Sequence, residues 1–452
     1  VTTYGDLRRQ VAAARARLGG TGVGPDDRVA IVLGNEPAFV VAYLAVVGLG
    51  AVAVPLNPAS PPPELDRQRT AADVSAMLDG ADDLGLADDA AKTPPIVERQ
   101  PDDLAALMFT AGTAGAPRAA MLTHGNLLAN IDQVQRQQPI DAKDVVLGVL
   151  PLFHIFGLNV VLGGALAVGA QVLLIDHFEP RSALDLIRRH QVSVLIGAPT
   201  MYAALAGVPP ENPRQHLPRV RLAVTGAAPL SYEVADLWQR RYGLPLRQGY
   251  GLTEASPVVT SATLDGPVIT QSIGIPLPGV EVRLVDDEGE DALAGDAGQI
   301  WVRGPNVFPG YWRDDRATEA ALTEDGWLRT GDVAVAGDDG QLYIVDRVKD
   351  LIIVSGFNVF PAEVEAVLAE HPAVAEVAVV GADDAYQGET VHAFVVLEPG
   401  QQVTADQLSA WARDRLARYK CPSEISFVPS LPHGLGGKLL RRSLRSKQSA
   451  EG

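Results

Sequence analysis

The sequence has very little cysteine, and its basic residues are too few to balance its acidic ones. Cys421 is the single cysteine among 452 residues, which excludes an internal disulfide framework and fits a reducing, cytoplasmic compartment. Lysine and arginine together number 37, against 55 aspartates and glutamates. The resulting net charge of −18 repels nucleic acid and anionic membranes, so neither is expected as a partner.

Targeting and membrane segments are also scarce. The opening residues VTTYGDLRRQ contain no apolar run of the kind that a secretory signal requires. Two uncharged stretches, 39–57 and 145–175, are long enough to span a bilayer. Both contain glycine and proline; the first reads as helix then buried strand, and the second as strand, loop, helix and strand. We therefore expect core segments here and no transmembrane helix.

The order of hydrophobic patterns predicts an α/β protein. Up to about residue 251, helical periodicity alternates with short β-branched runs such as VAIVLG, VSVLIG and VRLAVTG, which is typical of parallel strands joined by crossover helices. Residues 270–346 change to short strands with frequent turns, and a compact unit of about a hundred residues follows. We predict two domains, 1–346 and 347–452. The acidic stretch 80–103 reads as a linker or surface excursion.

A glycine-rich loop lies in FTAGTAGAPRAAMLTH (109–124). Glycines let backbone N–H groups approach phosphate oxygens, and a position between strand and loop suits an anion-binding concavity. The loop does not match GxxxxGK[ST], and a tight β-turn is the alternative interpretation. The candidate phosphate-binding residues are Thr110, Ala111, Gly112, Thr113, Ala114, Gly115 and Arg118.

Six further motifs follow this loop in the chain. They are LPLFHIFGLN (150–159), TGAAPL (225–230), QGYGLTEASP (248–257), GWLRTGD (326–332), YIVDRVKDLIIVSGFNVFPAEVE (343–365) and GLGGKLLRR (434–442). Over nearly the whole chain, the set resembles the adenylate-forming superfamily of acyl-CoA synthetases, 4-coumarate–CoA ligases, luciferases and peptide-synthetase adenylation domains. The family's loop reads Thr-Ser-Gly-Thr-Thr-Gly, so Ala111, Ala114 and Arg118 stand here for its serine, a threonine and its lysine.

This resemblance implies a particular architecture and activity. The expected fold is a large N-terminal domain of two parallel-sheet α/β layers plus a small β-barrel, followed by a mobile α+β lid, with the active site between them. The expected reaction joins a carboxylic acid to ATP as an acyl-adenylate and then transfers the acyl group to a thiol. The implied cofactors are ATP, Mg²⁺ and CoA.

Two motifs supply a nucleotide-binding surface in this interpretation. Tyr250 offers an aromatic face for the purine, flanked by Gln248, Gly249 and Gly251. Thr253 adds a hydroxyl, and the Glu254 carboxylate suits a hard cation such as Mg²⁺ between phosphates. The alternative is a surface turn after a strand. The small residues that would let the base lie against the backbone are Gly226, Ala227 and Ala228.

The later motifs supply ribose and hinge residues by the same resemblance. Asp332 suits the two ribose hydroxyls, and Arg347 offers paired donors to ribose or phosphate. Ile344 matches a position that packs near the nucleotide, and Lys349 matches the hinge between the domains. The turn that passes the pantetheine arm of the thiol substrate contains Ser355 and Gly356.

Two residues are expected to act near the reacting groups. Lys438 follows two glycines, and a flexible cation suits the charge that builds up between carboxylate and α-phosphate. The alternative is a solvated basic tail. His154 matches a histidine that borders the acyl pocket and the approach of the thiol; the alternative is a buried, hydrogen-bonded histidine without a chemical role.

The expected substrate is an apolar monocarboxylic acid, fatty acyl first and aromatic second. The pocket motifs contribute Phe153, Phe156, Leu158 and Val258 but no obvious cation for a second carboxylate. CoA is the preferred acceptor, with a carrier protein as the alternative. The altered phosphate loop keeps open a degenerate nucleotide-binding homologue. The oligomeric state is left open.

Restoring the missing loop hydroxyls should improve ATP binding. Each lost hydroxyl facing a charged phosphate forfeits roughly 1.5–3 kcal/mol, which Arg118 partly offsets through its forked donors. We expect the double variant Ala111→Ser/Ala114→Thr to lower the KM for ATP in a steady-state assay. An unchanged or higher KM would defeat this account of the loop.

Overall fold

A computed structural model describes most of the chain. The described residues are 1–84, 94–110, 118–209, 217–263, 266, 269, 271–286, 288–293, 295–347, 352–354, 357–359, 361–384, 388–416, 418–433, 439, 441 and 443–444. They divide into two compact units, one formed by residues 1–282 and 301–329 and the other by residues 283–300 and 330–452. The domain boundary between residues 346 and 347 stays a prediction.

The first unit opens with a small, mainly parallel sheet. Its strands are β1 Arg28–Ile31, β2 Val52–Pro55, β3 Ala76–Leu78, β4 Leu104–Thr110 and β5 Arg118–Thr123. They lie in the order β3-β1-β2-β4-β5, and only β4 and β5 pair antiparallel. The intervening helices are α1 Tyr4–Gly20, α2 Pro37–Gly48 and α3 Pro62–Ala71, followed by a 3₁₀ turn at Ala81–Leu84.

A longer sheet follows in the same unit. Its strands are β6 Val145–Gly148, β7 Gln171–Leu174, β8 Val194–Gly197, β9 Leu222–Thr225, β10 Arg247–Gly251, β11 Val258–Ser261 and β12 Ile275–Pro276. Their order is β12-β11-β10-β9-β8-β6-β7; β6 to β10 are parallel, and β11 and β12 run antiparallel. The helices are α4 His124–Gln137, a π-helix Phe156–Gly163, α5 Gly164–Val168, α6 Pro180–Arg189, α7 Pro199–Gly207, α8 Tyr232–Tyr242 and α9 Asp315–Ala321.

Both faces of this longer sheet are covered, because alternate residues of a strand point to opposite faces. Leu195 and Ala223 belong to a core cluster with residues of α6, α7 and α8. In that cluster the Trp238 ring meets Tyr202 edge to face at 4.8 Å. Val194 and Val224, one position out of step, belong to a second cluster with residues of the π-helix and α5. Because both faces of these strands are buried, β8 and β9 are almost continuous apolar runs in the sequence.

The second unit contains antiparallel sheet and two helices. Its strands are β13 Glu281–Val285, β14 Gly298–Arg303, β15 Leu328–Ala336, β16 Leu342–Arg347, β17 Ile352–Val354, β18 Phe357–Val359, β19 Val374–Asp384, β20 Gly388–Leu397 and β21 Glu424–Phe427. β13 to β16 are neighbours in sequence order, and the unit boundary falls within β13, β14 and β15. The order β18-β17-β20-β19 forms another sheet, with β21 parallel to β20 and with helices α10 Pro361–Ala369 and α11 Ala405–Arg413.

The predicted α/β class with parallel sheets and a small C-terminal part is confirmed. The short strands predicted within residues 270–346 include those of the sheet β13 to β16, and the small β-barrel that the resemblance implies stays a prediction. The stretches 39–57 and 145–175 are core helices and strands, as predicted. Among the helices that the structure describes, none is both long and apolar enough to span a bilayer. Of the expected linker, residues 85–93 lie outside the described part.

A buried carboxylate joins the amino-terminal ends of three parallel strands. Asp144, which precedes β6, accepts hydrogen bonds from the Ser193 hydroxyl at 2.7 Å and from Arg221 Nε at 3.0 Å. Ser193 precedes β8 and Arg221 precedes β9. Burial alone would raise the pKa of Asp144, but the hydrogen bonds from Arg221, Asp141 and Ser193 outweigh it and lower that pKa. These bonds fix the starting points of β6, β8 and β9 relative to one another.

Replacing this carboxylate should destabilise the protein in a pH-dependent way. Asp144→Asn leaves Arg221 without its anionic partner, and we expect a loss of about 2 kcal/mol at pH 7 in urea unfolding. Because the folded pKa is depressed, the contribution is complete above the ordinary value of 3.8 and is lost as pH falls through the folded value. The gap between parent and variant should therefore be constant from pH 7 to about 5 and shrink below about 4.

A surface carboxylate provides the matched control. Asp185 forms an exposed ion pair with Arg188 at 3.5 Å, so Asp185→Asn should change stability by less than about 0.5 kcal/mol. Equal effects of the two substitutions, or a gap that does not depend on pH, would contradict the role given to Asp144.

Candidate active site

Two of the predicted motifs begin at the same edge of the longer sheet. β9 and β10 pair in parallel, with Thr225 opposite Gln248, so the residues that follow both strands emerge at their carboxyl ends. Ligands of open α/β sheets bind at this edge. Thr225 Oγ1 and Gln248 Oε1 are buried there, and neither has a hydrogen-bond partner among the described residues. Buried polar oxygens of this kind are suited to a polar ligand.

The segment after β9 approaches its neighbours closely. A Cβ atom at Gly226 would lie 3.3 Å from the Gly249 carbonyl oxygen and 3.4 Å from the Phe156 ring. Ala227 adopts φ 69°, a left-handed conformation that costs a non-glycine residue about 1–2 kcal/mol. Such strain persists where the surroundings impose it, and it is frequent at ligand sites. The predicted strip Gly226, Ala227 and Ala228 is therefore narrow and conformationally fixed.

β10 is irregular where its predicted nucleotide residues lie. Its antiparallel pairing with β11 shifts register between Tyr250 and Gly251, and a bulge of this kind redirects a side chain. A Cβ at Gly251 would lie 2.1 Å from the Pro257 carbonyl oxygen, so only glycine fits there. The 3₁₀ turn Thr253–Ala255 follows directly and presents Thr253 and Glu254.

Glu254 has a partner that sequence reasoning missed. The Tyr311 hydroxyl donates to Glu254 Oε1 at 2.6 Å, and the Phe308 N–H donates to the Glu254 carbonyl oxygen at 2.9 Å. Burial raises the pKa of Tyr311, the charge and hydrogen bond of Glu254 raise it further, and Arg118 opposes them. The tyrosine therefore stays protonated and acts as a donor. Its only sequence signal is the short FPGYW run, which matches none of the motifs used above.

Arg118 lies beside the same tyrosine. Thr110 and Arg118 are paired across β4 and β5, at the two ends of the predicted phosphate loop. The Arg118 guanidinium lies over the Tyr311 ring, 5.9 Å from its centroid, and Arg118 Nε is 3.4 Å from an Asp314 carboxylate oxygen. The structure thus places Arg118 and Glu254 beside the same side chain, that of Tyr311. The other predicted loop residues, Ala111, Gly112, Thr113, Ala114 and Gly115, lie outside the described part of the chain.

His154 is exposed rather than buried. Its Nδ1 accepts the Phe156 N–H at 3.2 Å, so the neutral ring carries its proton on Nε2. The π-helix that starts at Phe156 is tied to the Glu254 turn, because Asn159 Nδ2 donates to the Ser256 carbonyl oxygen at 2.7 Å. The burial assumed in the alternative interpretation is therefore wrong, and the role of His154 beside the acyl pocket stays a prediction. π-Helical segments are frequent at functional sites.

The remaining predicted residues belong to the second unit. β15 and β16 place Asp332 opposite Arg347, and Ile344 opposite Ala334. Asp332 is buried and its N–H donates to Thr330 Oγ1 at 3.1 Å, whereas Ile344 is 38% exposed. The Arg347 side chain and residues Lys349, Ser355, Gly356 and Lys438 lie outside the described part.

Comparison with known proteins identifies the family. Residues 1–312 match the family model described as AMP-binding enzyme, and residues 363–438 match the model described as AMP-binding enzyme C-terminal domain. The chain belongs to the AMP-binding enzyme family.

Its similarity to relatives extends over nearly their full lengths. The feruloyl-CoA synthase of an Amycolatopsis species is 38% identical, over 98% of this chain and 94% of that protein. The long-chain-fatty-acid–CoA ligase of Bacillus subtilis (strain 168) is 34% identical, over 99% and 90%. The crystal structure of ATP-bound MatB from Rhodopseudomonas palustris has a TM-score of 0.91 at 33% identity, over 98% and 93%. These matches place the chain among the AMP-forming acyl- and aryl-CoA ligases, which use ATP, Mg²⁺ and CoA.

Proposed function

We propose that this AMP-binding enzyme is an acid–CoA ligase for fatty or other apolar carboxylic acids. The observation that supports this substrate class is the lining of a small, partly open cavity of about 40 Å³ in the first unit. None of the described residues that line it is charged; those with apolar side chains are Ile131, Val134, Ile140, Val160, Ile196, Leu222 and Val224. Four amide side chains also line it, Asn130, Gln135, Gln138 and Asn159, and their nitrogens donate hydrogen bonds within the protein. A chain of methylene groups fits such a lining, whereas a second carboxylate does not.

The cavity adjoins the proposed adenylate strip. Ile140, Ile196, Leu222 and Val224 share a core cluster with Phe156, the ring that lies against the Gly226 position. The strip Gly226–Ala228 would hold the base of the adenylate, and the cavity would receive the distal part of the acid beyond Phe156. This arrangement supports the proposal that acid specificity is set by apolar packing.

The proposed reaction has two balanced steps. An oxygen of the acid attacks the α-phosphorus of ATP, the bond to the β-phosphate oxygen breaks, and pyrophosphate leaves. The deprotonated CoA sulfur then attacks the acyl carbon, the acyl–phosphate bond breaks, and AMP leaves with the electron pair. The first step converts a carboxylate, a poor electrophile, into a mixed anhydride.

The proposed nucleotide roles involve the site in the first unit and three residues of the second. In this proposal, Gly226–Ala228 and Tyr250 bind the base, with Gln248, Gly249 and Gly251 forming its floor. Thr110, Thr253 and Arg118 bind phosphate oxygens. Glu254 holds Mg²⁺, which neutralises phosphate charge when bound. Asp332 binds the ribose hydroxyls, with Arg347 and Ile344 beside the nucleotide.

The residues fit these groups. Thr225 Oγ1 and Gln248 Oε1 are buried polar atoms with no partner among the described residues, at the edge where the nucleotide is proposed to bind. The Gly226 backbone lies so close to Gly249 and Phe156 that a larger side chain would not fit there easily. A single carboxylate together with substrate phosphates is the usual protein environment of Mg²⁺.

The C-terminal residues keep the roles that the family resemblance implies. Lys438 would neutralise the charge that develops between the carboxylate and the α-phosphate, and His154 would border the acyl pocket and the path of the thiol. Lys349 would be the hinge, and Ser355 and Gly356 would line the pantetheine path. We propose that residues 347–452 move between the two steps as a lid.

Aromatic acids are the second candidate substrate class, and the identity of 38% to a feruloyl-CoA synthase favours them. A planar ring is as apolar as an alkyl chain, so the same lining accommodates it. A carrier protein is the second candidate acceptor, and a degenerate homologue would bind ATP without releasing pyrophosphate. The aromatic class and the degenerate homologue have distinct outcomes in the experiment that follows.

The test is acid-dependent pyrophosphate release with octanoate, ferulate and malonate, each with and without CoA. We expect octanoate to exceed malonate by at least about a hundredfold in kcat/KM, because burying an unpaired carboxylate costs several kcal/mol. Val160→Phe, which fills the cavity, should lower kcat/KM for octanoate and spare propionate. Leu128→Phe, at a residue 64% exposed on α4, is the matched control and should change neither.

Other outcomes decide among the alternatives. A preference for ferulate over octanoate would move the enzyme to the aromatic class. ATP binding without pyrophosphate release for any acid would indicate the degenerate homologue. Comparable turnover of malonate and octanoate would contradict the proposed apolar site.

A further inference from the structure

We propose that Tyr311 is a positioning residue that holds Glu254 in place and keeps it apart from Arg118, the cation beside the phosphate loop. This inference rests on the proposed function of Glu254 as the carboxylate that holds Mg²⁺. Tyr311 and the neighbouring Asp314 belong to none of the motifs that carry the family resemblance.

The first observation is that Tyr311 holds one of the two oxygens of the Glu254 carboxylate. The Tyr311 hydroxyl occupies Oε1 at 2.6 Å, a length typical of a charge-assisted hydrogen bond. The second oxygen is left to point toward a hard cation, which accepts monodentate carboxylates. A carboxylate held at one oxygen has lost most of its rotational freedom before the cation arrives. Binding then costs less entropy.

The second observation is that Tyr311 is itself fixed. Its N–H donates to Thr318 Oγ1 at 2.9 Å, and its backbone bridges to Ala120 on β5. The Phe308 ring meets the Tyr311 ring edge to face at 4.9 Å, while the Phe308 N–H donates to the Glu254 carbonyl oxygen. Tyr311 and Glu254 are therefore connected through both side chain and backbone, and the tyrosine hydroxyl has a defined position.

The third observation concerns charge. Arg118 lies over the ring of the same tyrosine and pairs with Asp314 at 3.4 Å. The Arg118 guanidinium and the Glu254 carboxylate both lie beside the Tyr311 side chain, and their opposite charges attract each other. If they paired, both charges proposed to act on the triphosphate would be neutralised. The Tyr311 hydroxyl is hydrogen-bonded to the Glu254 carboxylate, and Asp314 is paired with the Arg118 guanidinium. Each charged group therefore has a partner that competes with direct pairing between Arg118 and Glu254.

The experiment removes the hydroxyl and keeps the ring. In Tyr311→Phe, we expect the KM for MgATP, and the dissociation constant of Mn²⁺ for the ATP-bound enzyme measured by electron paramagnetic resonance, each to rise about tenfold, the worth of one hydrogen bond to a charged group. The KM for the acid should be unchanged, and the unfolding midpoint should fall no further than in the Tyr242→Phe control described below. A merely structural tyrosine would move all of these quantities together.

Tyr242→Phe is the matched control. The Tyr242 hydroxyl is also buried in the first unit and donates to the Leu205 carbonyl oxygen at 2.8 Å. Its removal should leave Mn²⁺ and MgATP binding at the parent value.

A second variant, Asp314→Asn, tests the pairing of Asp314 with Arg118. Asp314 caps α9 by accepting the Ala317 N–H at 3.0 Å, and Asn caps equally well. Asp314→Asn therefore removes only the charge that competes for Arg118. We expect it to lower the KM for MgATP about two- to fivefold.

Unchanged Mn²⁺ and MgATP binding in Tyr311→Phe would overturn the inference, and so would equal changes in the Tyr242→Phe control. An Asp314→Asn variant with weaker MgATP binding would overturn the part assigned to Asp314. The Mn²⁺ titration needs neither acid nor CoA. A parent enzyme that binds Mn²⁺ and ATP but activates no acid therefore refutes the proposed function while the inference is judged on its own.

Discussion

The parallel pairing of β9 with β10 decides where every other part of the site in the first unit lies. Because Thr225 is opposite Gln248, the segments that follow the two strands leave the sheet side by side. The Asp144 carboxylate fixes the amino-terminal ends of β6, β8 and β9. With both ends of β9 held, the sheet supports the strained Ala227 backbone and the close approach at Gly226. A rigid strip of this kind binds a planar group with little reorganisation.

Around that strip, the enzyme combines apolar packing with a small number of charges. Phe156 contacts both the core cluster and the Gly226 position, so it links the apolar cavity to the strip. Asn159 ties the π-helix to the turn after Glu254, which connects the proposed acyl side with the proposed phosphate side. Arg118 replaces the lysine of the family's loop and is balanced by Asp314. Arg118 pairs with Asp314 through Nε, and its planar guanidinium has further donors beside that one.

Much of this was predictable from local pattern, and the exceptions have a common cause. The apolar runs of β8 and β9 are local signals, so these strands were predicted at the right places along the chain. The glycines of the two motifs are local signals too, and the nucleotide roles assigned from them stay predictions. Tyr311 lies 57 residues from Glu254, and Arg221 lies 77 residues from Asp144. Neither pair has a sequence spacing that predicts contact, because only the assembled sheets bring them together. His154 was uncertain for a similar reason, since apolar neighbours in sequence do not reveal which side chain of a turn faces outward.

The central claim is that the chain activates an acid as its adenylate before any thiol takes part. The most direct test is the exchange of labelled pyrophosphate into ATP, with octanoate present and CoA absent. The account predicts acid-dependent exchange by the parent enzyme and a loss of about two orders of magnitude or more in Lys438→Ala, because a preorganised charge is removed from a developing anion. Exchange that requires CoA, or release of ADP in place of AMP and pyrophosphate, would contradict it.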